Sequence, residues 1–322
     1  MIIDIIGAGS LGLLYGSKLH AAGYQVRYWT RTSEQASDMK ERGLQITEPS
    51  EAEALQISGR DIQAYCIKKL GETWAHSPGD WLLLMVKQTA MDELIRDIGT
   101  IEQEPLNIVC FQNGIGHVAK IQKATPRATI YNAITTEGAK RIGNEVIRAG
   151  KGQTWIGQSA DASPRSVVQT GKNELRSLVQ TIQQAGFDCT VSNQIDKLIY
   201  RKLIINAVIN PLTAIWRVPN GQLLRKKERT MVMRQLYDEA TTIYRANGIT
   251  MDVDLWEQLL SVCQATASNT SSMLADVLEG RCTEIDSING QVVNLAHQSG
   301  LTAPLHETLL HLIKGMHPEG VN

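Results

Sequence analysis

The chain has 322 residues, 43% hydrophobic and 20% charged, with a net charge of −1. That length favours about two domains, each able to bury its own core. A near-neutral chain offers no basic field to nucleic acid or to an anionic membrane, which excludes partners held by charge alone.

The apolar N-terminus runs straight into a glycine motif, so no signal peptide is expected, and apolar runs fall well short of the ~20 residues of a membrane span. Cys66, Cys110, Cys189, Cys263 and Cys282 are scattered, odd in number and form no CxxC. That pattern favours reduced thiols in a cytoplasm over a disulfide framework or zinc site, and no residue grouping suggests a catalytic metal. Ile2–Ile6 reads as a short buried strand. A glycine turn, a helix from Leu11 to Ala22 ended by Gly23, and a strand over Gln25–Trp29 complete a βαβ unit, which implies a parallel sheet. Gly7-Ala8-Gly9-Ser10-Leu11-Gly12 fits GxGxxG in the required place, after a strand and before a helix. Gly7 permits the tight turn, Gly9 lets backbone approach a pyrophosphate, and Gly12 permits close helix–strand packing. Alone, the motif also suits a βα turn with no ligand.

The second strand ends in Tyr28-Trp29-Thr30-Arg31. An NAD site usually carries an acid here for the ribose 2′-hydroxyl, and none is present. Thr30 and Arg31 instead offer a hydroxyl and a guanidinium to a 2′-phosphate, which points to NADPH/NADP+. Further strands are expected at Ile62–Ile67, Trp81–Val86, Asn107–Phe111 and Ala128–Asn132. Two of them run into polar residues, Lys87-Gln88-Thr89 and Gln112-Asn113-Gly114. Ligands of open parallel sheets bind outside the carboxyl ends of strands, so Lys87 and Asn113 are candidates for the nicotinamide side, though both residue types are common in ordinary loops. Val146–Arg148 and Thr154–Ile156 flank Gly150-Lys151-Gly152 and read as a hairpin. A helix (Glu174–Ala185) and a strand (Asp188–Val191) complete a doubly wound α/β domain over residues 1–192.

From residue 193 to 322 the periodicity is helical, with helices expected near 196–210, 226–247, 253–277, 284–299 and 304–316. In the first of these, Lys202, Asn206 and Asn210 recur every fourth residue among Leu, Ile, Val and Ala. That spacing puts them on one helix face, drifting ~40° per step. A helix apolar around most of its circumference is buried, and an unpaired buried polar group costs on the order of 1–3 kcal/mol. The stripe therefore needs protein partners or a polar ligand. Lys202 can protonate the alkoxide formed when hydride reduces a ketone. Ser268 to Met273 is a polar cluster in a helical stretch, with Asn269 and Ser272 on one face at i, i+3. Thr283 reads as an N-cap with Glu284 in the first turn, where its carboxylate either offsets the helix dipole or pairs with Lys202 or a nascent hydroxyl.

Together these pieces resemble the ketopantoate reductase (2-dehydropantoate 2-reductase) family across essentially the whole chain. The residues that carry the likeness are Gly7 to Gly12, Lys87-Gln88-Thr89, Gln112-Asn113-Gly114, and Arg201-Lys202-Leu203 through Asn206 to Asn210-Pro211-Leu212-Thr213-Ala214. Pro219-Asn220-Gly221, Asn269 with Ser271-Ser272-Met273-Leu274, and Thr283-Glu284-Ile285-Asp286 extend it. The resemblance implies a Rossmann-type N-terminal domain, an all-α C-terminal domain and an active site in a cleft between them. It further implies that Lys202 is the general acid, that Glu284 assists at the reacting oxygen, and that Asn206, Asn210, Asn269 and Ser272 hold 2-dehydropantoate. Lys87 and Asn113 would line the cofactor side, with Asn113 also within reach of substrate, and Arg31 would meet the 2′-phosphate. Two rivals stay open: a reductase of another 2-oxo acid on the same scaffold, and a non-catalytic NADP(H)-sensing protein. An intact proton donor beside Glu284 weighs against the sensor. A homodimer is compatible with apolar faces on the helical half, but no heptad pattern specifies one.

Overall fold

A computed structural model describes residues 1–49, 51, 53–101, 103–159 and 171–318. The chain forms two compact units. One comprises Met1–Gln112 and His117–Ile195, the other Asn113–Gly116 and Asp196–Asn322.

The first unit is α/β. Its elements are β1 (Ile2–Ile6), α1 (Ser10–Ala21), β2 (Gln25–Thr30), α2 (Ser33–Arg42), β3 (Leu44–Thr47), β4 (Leu55–Ile57), β5 (Gln63–Cys66), α3 (Leu70–His76), β6 (Trp81–Leu84) and α4 (Met91–Ile98). They continue with β7 (Asn107–Cys110), α5 (His117–Ala124), β8 (Thr129–Thr135), β9 (Gly138–Ile142), β10 (Glu145–Gly150), β11 (Gln153–Gly157), α6 (Gly171–Gln184) and β12 (Asp188–Val191). The main sheet has eight strands in the order β12-β11-β8-β7-β6-β1-β2-β5. The six strands from β5 through β2, β1, β6 and β7 to β8 are all parallel and follow the doubly wound dinucleotide-binding order, reversing between β1 and β6. Their apolar runs are buried, as expected where helices cover both faces of a parallel sheet. In the β1–β2 register Asp4 lies beside Arg27, and the carboxylate accepts two guanidinium bonds of 2.7 and 2.6 Å and one from the Trp29 indole at 2.6 Å.

The expected hairpin at 146–156 does not form. β10 pairs antiparallel with β9 and parallel with β3 in a separate four-stranded sheet, β4-β3-β10-β9, whereas β11 pairs antiparallel with β8 in the main sheet. Gly150-Lys151-Gly152 is thus a crossing between sheets. A Cβ on Gly152 would stand 2.3 Å from the Thr136 carbonyl carbon, so this glycine serves close backbone approach rather than a tight turn. The hairpin turn lies one strand earlier, at Gly143-Asn144, where Gly143 has φ +61°.

Among the described residues from Asp196 onward the regular elements are all helical: α7 (Ile195–Trp216), a 3-10 segment (Asn220–Arg225), α8 (Lys227–Ala246), α9 (Leu255–Ala265), α10 (Ser272–Leu278), α11 (Ile285–Gln298) and α12 (Pro304–Lys314). The helix expected over 253–277 is two helices, because the Ser/Asn/Thr cluster breaks it. By length and composition the 22-residue α7 is long and apolar enough to cross a membrane, contrary to the impression left by its short apolar runs, but 67% of its most apolar window is buried as a core helix. Leu203, Ile204, Ala207 and Val208 of α7 pack with Leu236 and Tyr244 of α8 and Ile288 and Val292 of α11. All five cysteines are free thiols.

Candidate active site

The candidate residues fall into two constellations, one in each unit. In the first, β1 delivers the chain to Gly7, whose φ of +104° and whose approach to Val86 admit no side chain: a Cβ would lie 2.7 Å from Val86 Cγ1. A Cβ on Gly12 would fall 2.0 Å from the Gly7 carbonyl oxygen, so α1 starts directly against the loop. Gly9 is the N-cap of α1 and is exposed, with nothing within 4 Å of its Cβ position. Ala8 is buried, and Ser10 and Leu11 are half-buried. No acidic residue occupies the first turn of α1. The first-turn N–H groups and the helix dipole therefore face an approach open to an anion. This arrangement fits the pyrophosphate of a dinucleotide.

The loop is braced from outside the motif. Arg141 on β9 donates through Nη1 to the Ala8 carbonyl at 2.7 Å, and Gln35 on α2 donates to the same oxygen at 2.9 Å. No local sequence signal marks Arg141, since its strand belongs to the small sheet. Arg31, just beyond β2, is exposed. Thr30 does not match its expected role. It is buried, and its hydroxyl proton is committed to the Thr32 carbonyl at 2.7 Å, which leaves no donor for a phosphate. Lys87 is exposed in the loop after β6. Gln112 is buried and donates to the Leu84 and Val86 carbonyls at 3.0 and 3.1 Å, tying the end of β7 to β6.

In the second unit α7 presents the polar stripe. Lys202 and Asn206 are half-buried and Asn210 is buried. Burial pushes the Lys202 ammonium down to about 8, opposed by the Glu284 carboxylate. The side-chain amides of Asn206 and Asn210 make no hydrogen bond among the described residues.

Glu284, not Thr283, is the N-cap residue of α11, and its carboxylate makes no cap bond. Instead the buried carboxylate accepts from Asn113 Nδ2 at 3.2 Å. Asn113 reaches it because residues 113–116 leave the first unit and pack in the second. Gly114 makes that possible, with φ +85° and a Cβ position only 2.0 Å from the Ser287 carbonyl oxygen. The Thr283 hydroxyl pairs with His317 Nε2 at 2.8 Å, which pins the turn in front of Glu284.

Asn269 and Ser272 do not share a helix face. Asn269 is exposed in the break between α9 and α10, and Ser272 is exposed at the start of α10. The buried Ser271 caps α10 by accepting from Leu274 N–H at 3.1 Å and bonds the Thr213 hydroxyl of α7 at 2.7 Å. Ser271→Ala is expected to cost about 1–2 kcal/mol in urea unfolding, from the lost cap and the lost bond to the Thr213 hydroxyl, which keeps the Ile209 and Asn210 carbonyls as acceptors; a change under ~0.3 kcal/mol would contradict it. Sequence reasoning does not single out Asn220 as a site residue. It is buried, donates to Thr266 Oγ1 at 2.8 Å, and has a carbonyl oxygen with no partner among the described residues.

The family model described as Ketopantoate reductase PanE/ApbA matches residues 3–161, and its C-terminal counterpart matches residues 194–317. The 2-dehydropantoate 2-reductase of Listeria monocytogenes is 32% identical over 320 residues, covering 98% of this chain and 97% of that protein. The solved Bacillus subtilis probable 2-dehydropantoate 2-reductase is 30% identical with a TM-score of 0.78, covering 98% of this chain and all of the other (100%). A ternary structure of D-mandelate dehydrogenase with NADH and anilino(oxo)acetate has the same fold, with a TM-score of 0.85 at 23% identity over 98% of each chain.

Proposed function

Because the chain belongs to the ketopantoate reductase family, we propose that it reduces 2-dehydropantoate to (R)-pantoate with NADPH, a step towards pantothenate and coenzyme A. The observation that carries this reading is the polar stripe of α7, a lysine that burial pushes down to about 8 against the pull of Glu284, followed by two amides without protein partners among the described residues. Whole-length relatives that bear the reaction's name support it. When bound, the reduced nicotinamide supplies a hydride to the C2 carbonyl carbon. The first unit holds the dinucleotide through the Gly7–Gly12 loop, with Arg31 on the 2′-phosphate and Lys87 towards the nicotinamide. A nicotinamide cofactor also suits the NADH-bound neighbour of the same fold. The second unit holds the keto acid. Asn206 and Asn210 donate to its carboxylate and hydroxyl oxygens, and Asn269 and Ser272 close the polar wall. Lys202 delivers a proton to the C2 oxygen, and Glu284, held by Asn113, keeps the ammonium charged and orients it.

The test is NADPH oxidation with 2-dehydropantoate against pyruvate, 2-oxoisovalerate and 2-oxoglutarate, with NADH in parallel. Preference for 2-dehydropantoate and NADPH is expected. Arg31→Ala is expected to raise KM for NADPH about tenfold or more and to leave KM for NADH nearly unchanged, since it removes a charge-assisted contact only NADPH makes. Turnover of a different 2-oxo acid would keep the chemistry and overturn the substrate. Tight NADPH binding without any turnover would favour a sensor.

A further inference from the structure

Pro211 lies inside α7, one residue after Asn210. It has no N–H, so the carbonyl four residues back, that of Ala207, loses its helical donor. That oxygen is not left bare. Asn289 of α11, completely buried, donates to it through Nδ2 at 3.0 Å. The second amide proton goes to His306 Nδ1 of α12, also at 3.0 Å. His306 is itself fully buried, and its Nε2 lies 3.1 Å from the Leu236 carbonyl of α8, an acceptor only. Nε2 therefore carries the proton and Nδ1 accepts, which forces the orientation of the Asn289 amide. Burial pushes the imidazole down to about 4, so this neutral arrangement holds at physiological pH.

This geometry leaves the amide with a buried Oδ1 that has no partner among the described residues. Both N–H groups of the amide are spent between helices, on α7 and on α12. Ala207 lies five residues after Lys202 on α7, and Asn289 lies five residues after Glu284 on α11. The Asn289–Ala207 bond thus ties the two helices together five residues past each of the two groups.

We propose that Asn289, oriented by His306, is a positioning residue that fixes Glu284 against Lys202 by supplying the hydrogen bond Pro211 removes from α7. The inference rests on Lys202 as proton donor, and its test separates the two ideas. The variants are Asn289→Leu, Pro211→Ala and the double substitution in the full chain. Three quantities are read: Tm, kcat and KM with 2-dehydropantoate, and the titration midpoint of Lys202 from the pH dependence of its acylation, followed by peptide mass spectrometry. Asn289→Leu is expected to lower Tm, to cut kcat about tenfold or more with little change in KM, and to lower the Lys202 midpoint as the carboxylate drifts away. In the double variant the Pro211→Ala change restores a backbone N–H that satisfies the Ala207 carbonyl, so Tm recovers while kcat and the midpoint stay low. Recovery of kcat together with Tm would reduce Asn289 to a structural filler and overturn the proposal. So would a Lys202 midpoint at or above the wild-type value in the folded double variant. If Asn289→Leu does not fold, the double variant alone carries the comparison. The acylation needs no substrate, so a wild type inactive on 2-dehydropantoate would sink the functional reading while the midpoint still decides this one.

Discussion

Replacing Lys202 by alanine is expected to lower kcat on 2-dehydropantoate by about 10²-fold or more while NADPH binding is retained. In the proposed role the ammonium is the proton source, and burial pushes it down to about 8 against the pull of the Glu284 carboxylate. A donor must be protonated to act, so wild-type kcat is expected to hold below about pH 8 and to fall as pH rises through it. The stability effect has the opposite sign. Folding lowers the lysine from 10.5 to about 8, so between these values the unfolded chain binds more protons and stability rises with pH. Below about pH 8 the protein carries the full cost of burying the charge. Lys202→Met, apolar and of similar length, removes that cost but leaves the buried Glu284 carboxylate without its cation, so Tm at about pH 7 is expected to change little while turnover is lost. Fluorescence titration with NADPH, a kcat–pH profile and a thermal melt check the three parts. A variant that keeps more than a tenth of wild-type kcat would refute the assignment.

The largest effect on stability is expected at Asp4 and Arg27. Both side chains are nearly inaccessible, at 0% and 3%, and lie side by side in the β1–β2 register. Burial pushes the Asp4 carboxyl up, and the guanidinium and the Trp29 indole hold it back. Arg27→Met leaves a buried carboxylate without its cation and is expected to cost about 3–5 kcal/mol. The pH dependence identifies the cause. Without Arg27 the folded-state pKa of Asp4 rises further above its unfolded value. A raised pKa contributes stability that is present at low pH and lost as pH rises through the folded value. The deficit of Arg27→Met against wild type should therefore be largest at about pH 7.5 and shrink towards about pH 4.5 in urea melts. A deficit that does not change with pH would mean lost packing alone. Because β1 and β2 lead into the glycine loop and Arg31, NADPH affinity should weaken in the same variant.

Much of this molecule is written in short-range pattern. The Ile-rich β1, the glycines of the following turn and the start of α1 lie within about a dozen residues, and local sterics and burial decide them without reference to the rest of the chain. The same holds for α7, where a four-residue repeat of Lys202, Asn206 and Asn210 in an apolar helix marks a buried polar face by periodicity alone. Periodicity reports which face of an element is apolar, not which distant element covers it or completes its hydrogen bonds. For that reason Gly150-Lys151-Gly152 has the local pattern of a hairpin turn and yet is a passage between sheets: β10 turns back on its neighbour β9 and takes the distant β3 on its other edge, while β11 joins β8. The polar stretch from Thr266 to Ser271 breaks the helix by its composition, but that Ser271 meets Thr213, 58 residues away, is not legible in it. The bond from Asn113 to Glu284 spans 171 residues, and that from Asn289 to Ala207 spans 82. Element types and residue chemistry are thus local properties of this chain, readable from one stretch at a time. Which polar groups meet is a property of the folded molecule, because only burial removes water as the competing partner and makes each buried polar atom find a protein one.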